Sequence, residues 1–155
     1  MNAQELTLFT EELVKEAIFG LGFVAIILLL NTAFVLRIYL HFDRYCQRSE
    51  HPSHFQVRLW FMMSVLLICI VELFSILLWT GVIYAKGLVT NLMLAMLFAG
   101  SCFTTVGIYS DILPEGWRFL ALYISFSGLF SFAIATSALM AMIVRLAKKI
   151  EVKGA

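Results

Sequence analysis

Three long apolar stretches, residues 17–39, 60–84 and 118–144, constrain this chain more than any other feature. A bilayer's hydrocarbon core is about 30 Å thick and takes about 20 apolar residues of helix to cross. Each stretch meets that length and is predicted to span a membrane. A fourth apolar segment, residues 88–103, is too short to cross and return as helix, and runs of this length are read as re-entrant or buried. With 62% hydrophobic and 14% charged residues, the 155-residue chain has no room for a separate soluble domain. Soluble domains run near 45–50% apolar and about 25% charged. The expected fold class is all-α integral membrane, with three transmembrane helices and one re-entrant segment.

Positions of charge set the expected topology, because net charge is only +1. Arg44, Arg48 and Arg58 lie between the first two spans with Arg37 at their edge, and Arg145, Lys148, Lys149 and Lys153 follow the third. The positive-inside bias then puts residues 40–59, a basic loop, and the tail 146–155 in the cytoplasm, and residues 1–16 outside. The short segment enters from outside. Trp60, Trp79, Tyr84 and Trp117 fall near the expected interfaces, where amphipathic rings concentrate. Thr10-Glu11-Glu12-Leu13 reads as a helix N-cap with acidic first-turn residues. It is either an extension of the first span or an outer cap on the assembly.

The cysteines form no disulfide or metal framework, since Cys46, Cys69 and Cys102 are far apart and none pairs with Cys or His at ligand spacing. The N-terminal segment is acidic (Glu5, Glu11, Glu12, Glu16) and is not read as a signal peptide. No Ser/His/Asp, paired-carboxylate or phosphate-cradling set occurs, so an enzyme is not expected. A nucleic-acid partner is not expected either.

The short segment, with a helix expected over 90–103, runs into Thr104-Thr105-Val106-Gly107-Ile108-Tyr109-Ser110-Asp111. Irregular backbone at membrane depth is tolerated only where it is buried in protein or lines a water-filled path. Threonine, threonine and valine favour an extended strand whose carbonyls can replace a cation's hydration shell. The helix's negative end would favour a cation there. This stretch resembles the selectivity filter of the tetrameric pore-loop potassium-channel superfamily, usually T-T-V-G-Y-G-D, and in particular its small bacterial members.

The resemblance covers residues 60–144. It implies a pore domain over 60–145 (outer helix, pore helix, filter and inner helix), four subunits around one axis, K⁺ as permeant ion, and a bacterial inner membrane. Asp111 matches the family's aspartate, Pro114 the proline that often follows, and Trp117-Arg118 the start of the inner helix. Residues 17–39 lie outside the resemblance. The sequence departs at Ile108-Tyr109-Ser110: either Ile108 is inserted and Ser110 replaces the second glycine, or Ile108 replaces the tyrosine and Ser110 is inserted. Either way a glycine is lost where left-handed backbone costs other residues about 1–2 kcal/mol. The Thr105 and Val106 carbonyls and the Thr105 hydroxyl are expected to persist as ligands while the outer rings rearrange, admitting Na⁺ beside K⁺. Ser101 stands where some family members carry an acid behind the filter.

Glu72 lies near mid-membrane, where an unpaired charge costs about 2.5–3.5 kcal/mol, and Asn31 at similar depth is its expected partner. A neutral interhelical hydrogen bond, a proton-linked gate and a brace behind the pore helix all remain open. Gly128, Ser131, Ala135 and Ala138 share one helix face. By the resemblance Gly128 is a gating hinge, with Ser131 and Ala135 lining the pore; plain packing explains the same stripe. The loop arginines lie outside the spans and do not make a voltage sensor. His41, His51 and His54 share that loop, as a solvated cluster or a pH sensor. The function expected is a homotetrameric monovalent cation channel in the lipid bilayer, without a soluble ligand domain. The alternatives are a non-conducting structural or regulatory membrane subunit, and a proton-coupled transporter built on Glu72.

Overall fold

The computed structural model describes residues 3–48, 54–108 and 112–151. Among them are four α-helices, α1 (Ala3–Arg48), α2 (His54–Ala85), α3 (Leu92–Phe103) and α4 (Leu120–Glu151), with a 3₁₀ turn at Glu115–Trp117 and no strand. Three stretches of α1, α2 and α4, namely Val14–Arg48, Phe55–Ala85 and Leu120–Lys149, are long and apolar enough to cross a membrane. The all-helical expectation therefore holds, and three helices have the length and apolarity that spans require.

The helices outrun the apolar stretches that define them. At 46 residues, α1 is about 69 Å long, more than twice the hydrocarbon thickness. It runs through Thr10, so the N-cap expected there is not formed. Residues 3–16 contain no glycine or proline to stop a helix upstream. The loop expected over 40–59 is helical on both sides, since α1 continues to Arg48 and α2 starts at His54. Gln47 Nε2 donates to Asp43 Oδ2 at 2.6 Å, an i,i+4 pair that supports this polar extension. His51 lies outside the described residues, as do Tyr109, Ser110, Asp111 and Lys153.

The chain divides into two compact units, Met1–Leu29 with Phe74–Phe130, and Leu30–Leu73 with Ser131–Ala155. The first holds all of α3. Its core is Ile27, Trp79, Ile83, Phe98, Ala99, Cys102, Phe103, Leu120 and Ile124, with their neighbours. Trp79, expected near an interface, is fully buried there, and its indole N–H donates to Ser127 Oγ at 2.9 Å. A buried indole donor needs such a partner. Phe23 meets Trp79 edge-on with ring centroids 4.7 Å apart. Phe19 meets Trp117 likewise at 5.9 Å, and the Lys86 ammonium lies 3.9 Å from the Phe19 ring centre and 4.7 Å from that of Trp117. The buried Glu16 carboxyl sits beside the backbone N–H groups of Leu120 and Phe119, where the start of α4 presents unpaired donors.

The second unit packs Val35, Phe42, Cys46, Val57, Ile68, Ala135 and Met142. Arg145 Nε lies 3.0 Å from Asp43 Oδ1 at its surface.

Candidate pore loop and its supports

Asn91 starts α3. Its side-chain oxygen accepts from the N–H groups of Met93 (2.9 Å) and Leu94 (3.4 Å), capping the first turn. The expected helix over 90–103 is thus found, two residues shorter. Ala95, Phe98, Ala99 and Cys102, at i, i+3, i+4 and i+7, are buried on one face. The other face is apolar too, with Leu92, Met93, Met96 and Leu97 exposed on a single chain. A helix apolar all round belongs in lipid or under other protein.

The extended strand expected over Thr104–Gly107 is not formed. The chain closes α3 instead: Thr105 N–H donates to Cys102 O (2.9 Å) and Val106 N–H to Ser101 O (2.8 Å). This is the Schellman pattern, which requires a left-handed residue between the two donors. That residue is Thr105, at φ 61°. The physical reason is local: the last carbonyls of a helix lack intrahelical partners, and these two N–H groups are the nearest donors. Gly107 N–H also reaches Ser101 O at 3.0 Å, and Gly107 has φ 68°.

This geometry leaves the loop's acceptors open. Among the described residues no backbone N–H donates to the carbonyls of Thr104, Thr105, Val106 or Gly107. Thr104 Oγ1 donates back to Gly100 O at 2.8 Å. Residues 104–108 are all exposed, including the apolar side chains of Val106 and Ile108. Beyond the undescribed residues, Pro114 leads the 3₁₀ turn from an extended conformation, φ −61° and ψ 155°.

Helix α4 fixes the base of this loop through Gly128 and through two serines, Ser125 and Ser127, that carried no signal in the sequence. Ser125 Oγ donates to Cys102 O at 2.9 Å, tying α4 to the last turn of α3. Gly128 lies against the Phe103 carbonyl; a Cβ there would overlap the oxygen and stand 2.8 Å from the carbonyl carbon. Ser127 receives the Trp79 N–H and donates to Ile124 O at 2.7 Å. Ser101 is buried, with its hydroxyl donated to Phe98 O at 2.9 Å. Asn91 was legible as a polar residue before a short apolar run. The two serines carried no such signal.

The small-residue stripe of α4 faces inward. Ser131 is fully buried and Ala135 nearly so, within one chain. That burial fits the packing reading of the stripe. On Gly128, close approach to Phe103 accounts for the glycine. Exposed α4 residues include Ala133, Thr136, Ser137 and Met140. Elsewhere, Glu72 and Asn31 are both buried in the second unit. The Asn31 side chain faces the Glu72 carboxyl, although no pair between them closes to full hydrogen-bond geometry.

No protein-family profile, curated protein or solved structure matches this chain.

Proposed function

We propose that the chain is a subunit of a homotetrameric pore-loop channel for monovalent cations. K⁺ is its permeant ion, and discrimination against Na⁺ is relaxed. One observation carries this reading: a short apolar helix between two membrane-length helices ends in an exposed loop, Thr104–Gly107, whose carbonyls no described backbone N–H occupies. Four such loops around an axis would offer rings of carbonyl oxygen to a dehydrated cation. The chemistry asked of them is dehydration and weak, multi-site binding. One chain supplies one loop, so assembly is part of the proposal. The apolar outer face of α3, with Leu92, Met93, Met96 and Leu97, supports placing α3 within the membrane as a re-entrant helix.

In the assembly the loop would need to open from the closed turn at Thr105. Its two capping bonds and the Gly107 bond to Ser101 favour the second reading, a non-conducting membrane subunit. Reversal potentials of the purified chain in K⁺/Na⁺ gradients decide between them. Cation currents reversing between the two equilibrium potentials support the relaxed channel. Strict Na⁺ exclusion removes the relaxed filter, and absence of conductance at every voltage and pH supports the non-conducting subunit.

A further inference from the structure

We infer that the cytoplasm-proximal end of α1 carries a binding site for the phosphate headgroup of an anionic phospholipid. His41, Arg44, Tyr45 and Arg48 of α1, with Trp60 of α2, line a cleft of about 400 Å³ in the second unit. The four α1 residues fall at i, i+3, i+4 and i+7, so one helix face supplies them all.

Charge is the first argument. Arg44 and Arg48 have no ion pair among the described residues, because the neighbouring carboxylate, Asp43, is engaged by Arg145 at 3.0 Å and by Gln47 at 2.6 Å. His41 Nδ1 lies 3.1 Å from Arg37 O. A carbonyl only accepts, so Nδ1 carries the proton and the ring is held against its own helix. Two guanidiniums thus line the cleft without a described counter-ion. Guanidinium forks match phosphate oxygens in pairs.

Depth is the second argument, and it selects lipid as the source of the phosphate. The apolar stretch of α1 ends at Tyr39. At 1.5 Å per residue, Arg44 stands about 7.5 Å beyond it, at the outer edge of the headgroup layer, and Arg48 about 13.5 Å beyond it, from where its long side chain reaches back to that layer. The same cleft holds a Tyr45–Trp60 stack, with ring centroids 4.8 Å apart and planes 29° apart. Amphipathic rings of this kind settle at the headgroup level. Basic clusters beside a membrane helix recognise anionic headgroups. The site is separate from the pore loop and depends on the membrane assignment alone, not on conduction.

The test uses the full chain in neutral detergent, titrated with phosphatidylglycerol or phosphatidylcholine of the same acyl chains, with retained lipid counted by native mass spectrometry. The wild type should retain phosphatidylglycerol about thirty-fold better, from about five-fold per guanidinium. R44Q/R48Q should lose that preference, whereas K148Q/K149Q should keep it. W60L, which leaves every charge in place, should weaken it several-fold. Equal retention of the two lipids by the wild type overturns the site. So does equal loss in both double variants, which would indicate diffuse charge, or inorganic phosphate binding without lipid discrimination. Should R44Q/R48Q fail to fold, the wild-type preference and W60L still decide the matter. The readout does not depend on cation flux, so a failed channel proposal leaves this one standing.

Discussion

Thr105 and Gly87 occupy the same station at the ends of two different helices. At the end of α2, Gly87 N–H donates to Tyr84 O (2.9 Å) and Leu88 N–H to Ile83 O (3.1 Å), with Gly87 at φ 67°. At the end of α3, Thr105 and Val106 make the same two bonds, with Thr105 at φ 61°. Glycine takes this conformation freely, while a β-branched residue pays about 1–2 kcal/mol for it. Such strain tends to persist where function holds it in place.

Replacing the strained residue should therefore stabilise the protein. T105G relieves the left-handed conformation but adds freedom to the unfolded chain, for a net gain of about 0.5–1 kcal/mol. The mirror change, G87T, should cost about 1–2 kcal/mol. Thermal unfolding in detergent reads both. If Thr105 also contributes its hydroxyl to a cation path, T105G should raise the melting temperature while reducing flux. A lower melting temperature for T105G would show that the threonine side chain supports the fold.

Contact between α4 and α3 predicts a second pair of substitutions. At Gly128 an alanine must push against backbone at Phe103, which cannot swing aside as a side chain can. G128A should destabilise by about 1–3 kcal/mol, the usual cost of overpacking. At Gly81, in α2, a Cβ meets nothing within 4 Å. G81A should gain up to about 1 kcal/mol from helix propensity. Comparison of the two melting temperatures separates the packing requirement from a general intolerance of alanine. If G128A proves as stable as wild type, α3 is not held by this contact.

The contrast between these glycines marks what could be read from the residues in advance. Span number, and the short helix before Thr104, were legible because run length and apolarity fix them. Helix ends were not. Residues 40–48 mix charged and polar side chains with apolar ones, yet nothing in them breaks a helix, so α1 continues past its apolar stretch. The direction of the stripe at Gly128, Ser131 and Ala135 was hidden as well, since small residues suit a packed face and a water-filled face equally. The turn at Thr105 was missed because strand propensity describes side chains on a sheet. Here the controlling partners are the free carbonyls of a helix end.

Buried polar groups give a third prediction. Glu72 and Asn31 have side-chain oxygens and nitrogen without full hydrogen bonds in a site shielded from solvent. E72Q keeps the volume, removes any charge and can still pair with Asn31, so its stability should equal or exceed that of wild type. E72A removes the partner and leaves a cavity, and should cost about 2–4 kcal/mol. A double-mutant cycle of E72A with N31A should give a coupling of about 0.5–3 kcal/mol. A coupling of zero would mean that the two side chains act independently. If E72Q instead abolishes flux at unchanged stability, the carboxyl serves the transport process itself.

Selectivity provides the last prediction. The sequence from Gly107 to Asp111 is one residue longer than the filter pattern it resembles, and it lacks the second glycine. Gly107 already takes a left-handed angle, φ 68°. The next residue of that kind in the filter pattern would follow after one step, where this chain offers only residues that resist it. Rewriting Ile108-Tyr109-Ser110 as Tyr-Gly restores both the spacing and the glycine. If the chain conducts as proposed and the extra residue breaks the outer carbonyl rings, the rewritten protein should pass K⁺ with its reversal potential moved toward the K⁺ equilibrium value. The replacement S110G, which restores a glycine but not the spacing, should move it less. Equal shifts in the two variants would assign selectivity to the glycine alone. No shift in either would place discrimination at Thr104–Gly107, below the altered segment.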